Sequence, residues 1–191
     1  MDQETGMEHS DERLMLEFSQ GRPEAFGELF RRYRTPICGF FRRRVTDPAR
    51  AEELAQDTFL AVVRGAARYQ PKALFRTYLY AIGLNILRKE RRKATIRGFI
   101  LGGQTEAANP AARDTSEAGL LLRESLGKLD AMDREVLMLR EYEQLRYAEI
   151  ADVLGIPVNT VRSRLFRARL ALRDLLQAKA PQRAAQIEAR T

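Results

Sequence analysis

Residues 147–173, YAEIADVLGIPVNTVRSRLFRARLALR, constrain the chain more than any other stretch, because their apolar spacing calls for two short helices joined by a tight turn. Ala151 is small enough for close helix approach, Gly155 tolerates positive φ at the turn, Val161 supplies a core contact and Pro157 suits a first helical turn. This is the outline of a helix-turn-helix. Projected at about 100° per residue, the second helix places Val158, Val161, Leu165, Ala168 and Leu172 on one stripe that must bury. Asn159, Arg162, Ser163, Phe166 and Arg167 share the opposite face, with Thr160 and Arg164 towards its edge. An aromatic on that face does not serve the core. Arginine can bond guanine bidentately, serine and asparagine reach base edges, and an apolar ring can meet a thymine methyl, so the face suits a DNA major groove. A basic face can also be merely solvated, but the adjoining turn pattern favours DNA.

Charge agrees with that reading. The 191 residues carry a net charge of +7, and 31% are charged, which favours a polyanionic partner, with a membrane surface as the rival. No apolar run approaches the roughly 20 residues of a membrane span. The start MDQETGMEHS lacks the basic and apolar parts of a signal peptide, so a cytosolic protein without membrane insertion is expected. His9 is the single histidine and Cys38 the single cysteine. An intramolecular disulfide is impossible, and a zinc site, a histidine-based catalytic centre or any cofactor is not expected. Cys38 reads as a small buried helix residue, with a redox switch as the alternative.

The expected fold class is all-α, two small helical domains joined by a flexible linker. Residues 1–10 read as a disordered terminus and 11–97 as the first domain. In it Phe26, Leu29, Phe30, Tyr33, Ile37, Phe40 and Phe41 recur at helical spacing as a core, Pro36 is expected to kink the helix, and Arg42 to Arg44 complement its C-terminus or contact phosphate. Asp47-Pro48 starts the next helix, which buries Ala51, Leu54, Ala55, Thr58, Phe59 and Val62. Its opposite face holds Glu53, Gln56, Asp57 and Leu60, either an ordinary wet surface or a protein-binding patch.

A loop with Gly65, Arg68, Tyr69 and Pro71 leads into FRTYLYAIGLNILRKERRK. Phe75, Leu79, Ile82 and Ile86 form its buried stripe, while Tyr78, Ala81, Asn85, Arg88 and Arg92 form a second, polar and basic one. Tyrosines beside arginines suit unpaired bases, since rings stack and cations hold the backbone. A half-buried tyrosine beside solvated arginines is the plainer alternative. Residues 98–117 are rich in glycine, alanine and polar side chains and read as the linker; Phe99, Ile100 and Leu101 are apolar enough to dock elsewhere. Residues 118–177 form the second domain, whose apolar stripes should be almost wholly used in its own core at that size. Residues 178–191 read as a flexible tail.

Taken in order, AEELAQDTFL, FRTYLYAIGLNILRKERRK and EIADVLGIPVNTVRSRLFRARL resemble conserved regions of the bacterial sigma factors of the extracytoplasmic function type. The resemblance covers nearly the whole chain and implies a subunit for promoter-specific transcription initiation that is not itself an enzyme. It implies that Glu53, Gln56, Asp57 and Leu60 dock on the β′ clamp helices of core RNA polymerase, and that the C-terminal domain meets the β flap. It further implies that Arg68, Tyr69, Tyr78, Asn85, Arg88 and Arg92 engage the −10 element of promoter DNA and capture a flipped base. Asn159, Thr160, Arg162, Ser163, Arg164, Phe166 and Arg167 would read the −35 element, and an anti-sigma factor would hold the protein inactive. Tyr78 stands where many relatives have tryptophan, Asn159 replaces a common glycine, and Asp130 replaces a helix-opening proline, so Asp130 is expected to act as an N-cap. The alternative is a dimeric helix-turn-helix regulator that binds operator DNA and never joins polymerase, but the N-terminal half lacks a heptad repeat to dimerise through.

Overall fold

The computed structural model describes residues 10–101 and 116–188, with side chains placed through residues 96 and 178 of these segments. Every regular element among the described residues is helical, without a strand: α1 Asp11–Ser19, α2 Pro23–Arg42, α3 Pro48–Gly65, a 3-10 turn Ala66–Arg68, α4 Phe75–Leu101, α5 Glu117–Lys128, α6 Ala131–Glu141, α7 Tyr147–Leu154 and α8 Val158–Glu188. The expected terminus 1–10, apart from Ser10, lies outside the described residues, as do 102–115 of the expected linker and the side chains of Phe99, Ile100 and Leu101. Two boundaries differ from the sequence reading. Helix α4 continues past Gly98 to Leu101, and α8 continues past Gln177 to Glu188, through Pro181.

Local chemistry sets the helix starts. Ser10, Asp47, Ser116 and Asp130 each cap a helix by accepting from a backbone N–H of the first turn. Asp130 takes two such bonds, from Met132 and Asp133, as expected where proline is missing. Helix α4 is started from a distance: the backbone N–H of Phe75 donates to Glu12 Oε1 at 2.7 Å, an acid at a helix N-terminus supplied by α1. Pro36 lies inside α2, which runs unbroken to Arg42.

The first unit, α1–α4, packs around Met15, Leu29, Ile37, Phe40, Phe41, Leu54, Phe75, Leu79 and Leu87, all essentially inaccessible. Phe40 meets Phe41 edge-on at 5.0 Å and Tyr80 at 5.6 Å. Phe30 departs from the expected core: it sits exposed at the rim, its ring 4.8 Å from that of Phe59. The second unit, α5–α8, is centred on Val136, Leu139, Leu145, Ile150, Val161 and Leu165.

The two units also pack on each other, α4 against α7, which widens the buried surface of α4 beyond the expected stripe to include Thr77, Tyr80, Leu84 and Leu87. At this seam Arg76 makes a bidentate bond to Glu149, whose other neighbours are the Thr77 hydroxyl at 3.4 Å and the Arg146 backbone N–H at 2.9 Å. Burial pushes the Glu149 carboxyl up, but the Arg76 and Arg146 bonds outweigh it and hold the pKa below the usual value. With the folded value depressed, the Glu149 contribution is fully present above about pH 4.3 and is lost as pH falls through the lower folded value. A carboxyl NMR titration of Glu149 should therefore show a midpoint below that of an unfolded glutamate; a midpoint at or above it would contradict the seam geometry.

Candidate nucleic-acid and protein-binding surfaces

The turn of the helix-turn-helix is built as its sequence requires. Gly155 takes φ 68° and ψ 39°, and its N–H and that of Ile156 both donate to the Ala151 carbonyl. Pro157 immediately precedes α8 and its carbonyl accepts from Val161. A Cβ added at Gly155 would meet nothing within 4 Å, so only the left-handed backbone opposes a side chain there. Gly155→Ala should cost about 1 kcal/mol, read as a fall of roughly 4–8 °C in the melting of this unit.

Val161, Leu165 and Ala168 bury as expected, while Val158 and Leu172 lie at the edge of the core. On the outward face Asn159, Arg162, Ser163 and Phe166 are exposed, Phe166 at 69%, an extreme value for a phenylalanine. Arg162 is loosely steadied by Asn159, and the Ser163 hydroxyl donates to the Thr160 carbonyl at 3.1 Å. Arg164 and Arg167 behave differently. Arg164 Nη1 donates to Asp133 Oδ1 at 2.7 Å, and Arg167 Nε to Asp133 Oδ2 at 3.3 Å. The start of α6 thus holds both guanidiniums at the edge of the face, and Arg162 and Phe166 stand at its centre.

The second surface joins the 3-10 turn to α4. Tyr69 packs its ring 5.3 Å from Tyr78 and 6.4 Å from the buried Phe75. Burial, with Glu12 next, pushes the Tyr69 phenol up to about 12. Tyr78 is half-buried, and its hydroxyl fills the space a Cβ on Gly65 would take, 2.8 Å away. The tyrosine rings are thus partly structural, each half-buried, and Arg68 beside Tyr78 is exposed. Asn85, Arg88 and Arg92 continue as exposed groups along α4, spanning about 21 Å from Tyr78 at 1.5 Å per residue.

On α3, Glu53, Gln56, Asp57 and Leu60 are all exposed on one ridge. Glu53 pairs with Arg50, which also forms a two-point bond to Glu90 of α4, so the ridge is braced against the neighbouring helix. Val63, 40% exposed and one turn beyond Leu60, extends the apolar strip, and its place directly after buried Val62 hides it in the sequence pattern. A groove of about 460 Å³ between α2 and α3 opens beside the ridge, lined by Phe30, Arg34, Cys38, Glu52 and Gln56 among others. Cys38 is half-buried there rather than in the core.

The second unit does not use all its apolar surface internally, against expectation. Leu122, Leu126, Leu137, Met138, Leu172 and Leu176 line an open groove of about 480 Å³ between α5, α6 and α8. Arg44 is the other departure: its guanidinium donates to the Phe40 carbonyl in the last turn of α2, as a helix-end role expects, yet it is wholly buried against the second unit and does not reach solvent. Among the described residues no group of acidic, histidine or cysteine side chains is arranged to hold a metal ion, and no helix is long and apolar enough to cross a membrane.

Comparison with known proteins matches residues 29–96 to the model described as Sigma-70 region 2 and residues 119–172 to Sigma-70, region 4. The chain is 32% identical over 184 residues to the RNA polymerase sigma factor CnrH of Cupriavidus metallidurans, covering 90% of this chain and 96% of that protein. It is 26% identical to the ECF RNA polymerase sigma factor SigW of Bacillus subtilis, covering 90% and 99%. Among solved structures, CnrH in complex with the cytosolic domain of CnrY superposes with a TM-score of 0.69 at 29% identity, covering 89% of this chain and 99% of that one.

Proposed function

We propose, for a chain that belongs to the RNA polymerase sigma factors of the extracytoplasmic function type within the sigma-70 family, that each surface above serves one step of promoter-specific transcription initiation. The ridge Glu53, Gln56, Asp57 and Leu60 docks on the β′ clamp helices of core polymerase, with Val63 lengthening the apolar contact. Arg68, Tyr69, Tyr78, Asn85, Arg88 and Arg92 engage the −10 element and stack on a flipped base, which offsets the cost of unstacking it without ATP hydrolysis. The outward face of α8 reads the −35 element, with Arg162, Ser163 and Phe166 on bases and Arg164 and Arg167 at its edge. The apolar groove of the second unit receives the β flap. The protein acts as a polymerase subunit in the bacterial cytoplasm, not as an enzyme, and an anti-sigma factor holds it inactive, as the co-structure of CnrH with CnrY suggests by analogy.

The observation that carries this reading is the pair of family matches in order, each falling on a unit whose outward residues have the matching chemistry. Two weak DNA contacts on one rigid holoenzyme reinforce each other through effective concentration. Gel filtration with purified core tests it: the sigma reading requires co-elution in a one-to-one complex. Elution of the chain as a free dimer that binds duplex DNA alone would favour an operator-binding regulator.

A further inference from the structure

Helix α4 begins without a residue that can cap it. Gln70, Pro71, Lys72, Ala73 and Leu74 precede Phe75, and the N-cap position falls on Leu74, whose side chain has no oxygen to accept from the first-turn N–H groups. Glu12 takes over that task from α1. Its Oε1 accepts from the Phe75 N–H at 2.7 Å across 63 residues of sequence, and its negative charge stands at the positive end of the helix dipole. The neighbouring Asp11 fixes α1 on its other side, accepting from the Tyr33 hydroxyl and, at 2.7 Å, from Arg32 Nη1, both on α2. Leu14 and Met15 of the same helix are buried in the core. Helix α1 is thereby anchored to α2 and aims Glu12 at the start of α4.

What Glu12 ties down is a wall of aromatic rings between the 3-10 turn and α4. Phe75 is fully buried, and the rings of Tyr69, at 6.4 Å, and Tyr78, at 6.3 Å, lean on it. Helix α1 packs against the 3-10 turn as well as against α4. Burial and then the Glu12 charge push the Tyr69 phenol up to about 12, so the carboxylate acts on that ring as well as on the helix. The Tyr69 hydroxyl is buried and has no hydrogen-bond partner among the described residues. Packing on Phe75 and Tyr78 therefore sets the angle of this ring, together with the backbone that Glu12 holds. We propose that Glu12 is a positioning residue for capture of the −10 element: it fixes the first turn of α4, and with it the Tyr69 and Tyr78 rings on which an unpaired base stacks. This rests on the sigma-factor reading. A ring supports a stacked base only while its supporting residues hold it in place. Without the cap the first turn of α4 frays more often, and the fraction of molecules with the wall formed scales the apparent affinity for the opened strand.

The test compares the full chain with Glu12→Ala, which removes the acceptor, with Glu12→Asp, which keeps the charge but draws it back from the Phe75 N–H, and with Glu12→Gln, which keeps an acceptor oxygen at the same reach. Hydrogen exchange of the Phe75 amide by NMR reads the cap. Co-elution with core polymerase, and retention by that complex of a duplex carrying the −35 element alone, read the other surfaces. Strand opening is read from the fluorescence of 2-aminopurine placed at single positions in the −10 element of a promoter that the wild-type complex selects. Glu12→Ala and Glu12→Asp should speed exchange of the Phe75 amide and slow the fluorescence rise, each by about fivefold, with core and −35 binding unchanged. Glu12→Gln should restore both towards wild type. Should Glu12→Ala lose helical content by circular dichroism, Glu12→Asp decides. Faster exchange with an unchanged fluorescence rise overturns the positioning role, and so does a loss of core or −35 binding in step with opening; unchanged exchange overturns the cap itself. If the wild type opens no promoter with core, the sigma-factor reading falls and this role with it, whereas the exchange data still show whether Glu12 holds the start of α4.

Discussion

Glu53→Lys combined with Asp57→Lys is expected to abolish co-elution with core RNA polymerase while leaving the fold intact. Both side chains are exposed on α3 and neither contributes to a core, so thermal unfolding should barely move. Reversing two charges that face a complementary partner puts like charges in contact, at a cost of several kcal/mol, roughly a hundredfold or more in affinity. Arg50 makes the result specific. It braces Glu53 and is itself held by Glu90, so Glu53→Lys also places a cation beside Arg50, and Asp57→Lys alone separates partner repulsion from that local effect. Leu60→Ala should weaken the same complex by a smaller amount, since about half of Leu60 is already buried and only the exposed remainder is left for docking to cover. Unchanged co-elution of the double variant would remove the ridge from the interface.

Arg162→Ala should weaken binding to the cognate −35 sequence by about 1–3 kcal/mol if its guanidinium bonds a base bidentately, and should relax selectivity at that base alone. Arg167→Ala should give a smaller loss. The reason is structural: Arg167 and Arg164 already share Asp133, and a guanidinium must leave or divide that carboxylate to meet DNA. Arg162 has only a loose contact with Asn159 to give up. Competition assays on templates varied one base at a time in the −35 element would read both effects. Equal losses at every base for Arg162→Ala would mean a phosphate contact, and would move sequence reading to Phe166 and Ser163.

What the sequence made legible was local. The helix-turn-helix, the caps at Asp47 and Asp130, the exposed ridge and the outward face of α8 each depend on residues a few positions apart, where helical period and capping rules apply. What it concealed was long-range. Arg44 follows two other arginines at a helix end, a pattern that ordinarily means solvent, and nothing nearby marks Glu135 or Glu143 as its partners. Glu12 capping α4 is hidden for the same reason. The second buried side of α4 went unseen because Thr77, Tyr80 and Leu84 bury against α7 or Phe40, so a stripe read for one neighbour undercounts a helix with two. The apolar groove between α5, α6 and α8 shows the converse, since leucines at core spacing do not reveal which of them line an open groove.

Run-off transcription with purified core polymerase on a pool of randomised promoters tests the central claim most directly. Core supplemented with this chain should select templates carrying two fixed elements at a constant spacing and start transcripts at one position downstream, whereas core alone should select none. Transcripts that are the same with and without the chain, from a protein that is folded and free of inhibitor, would contradict it.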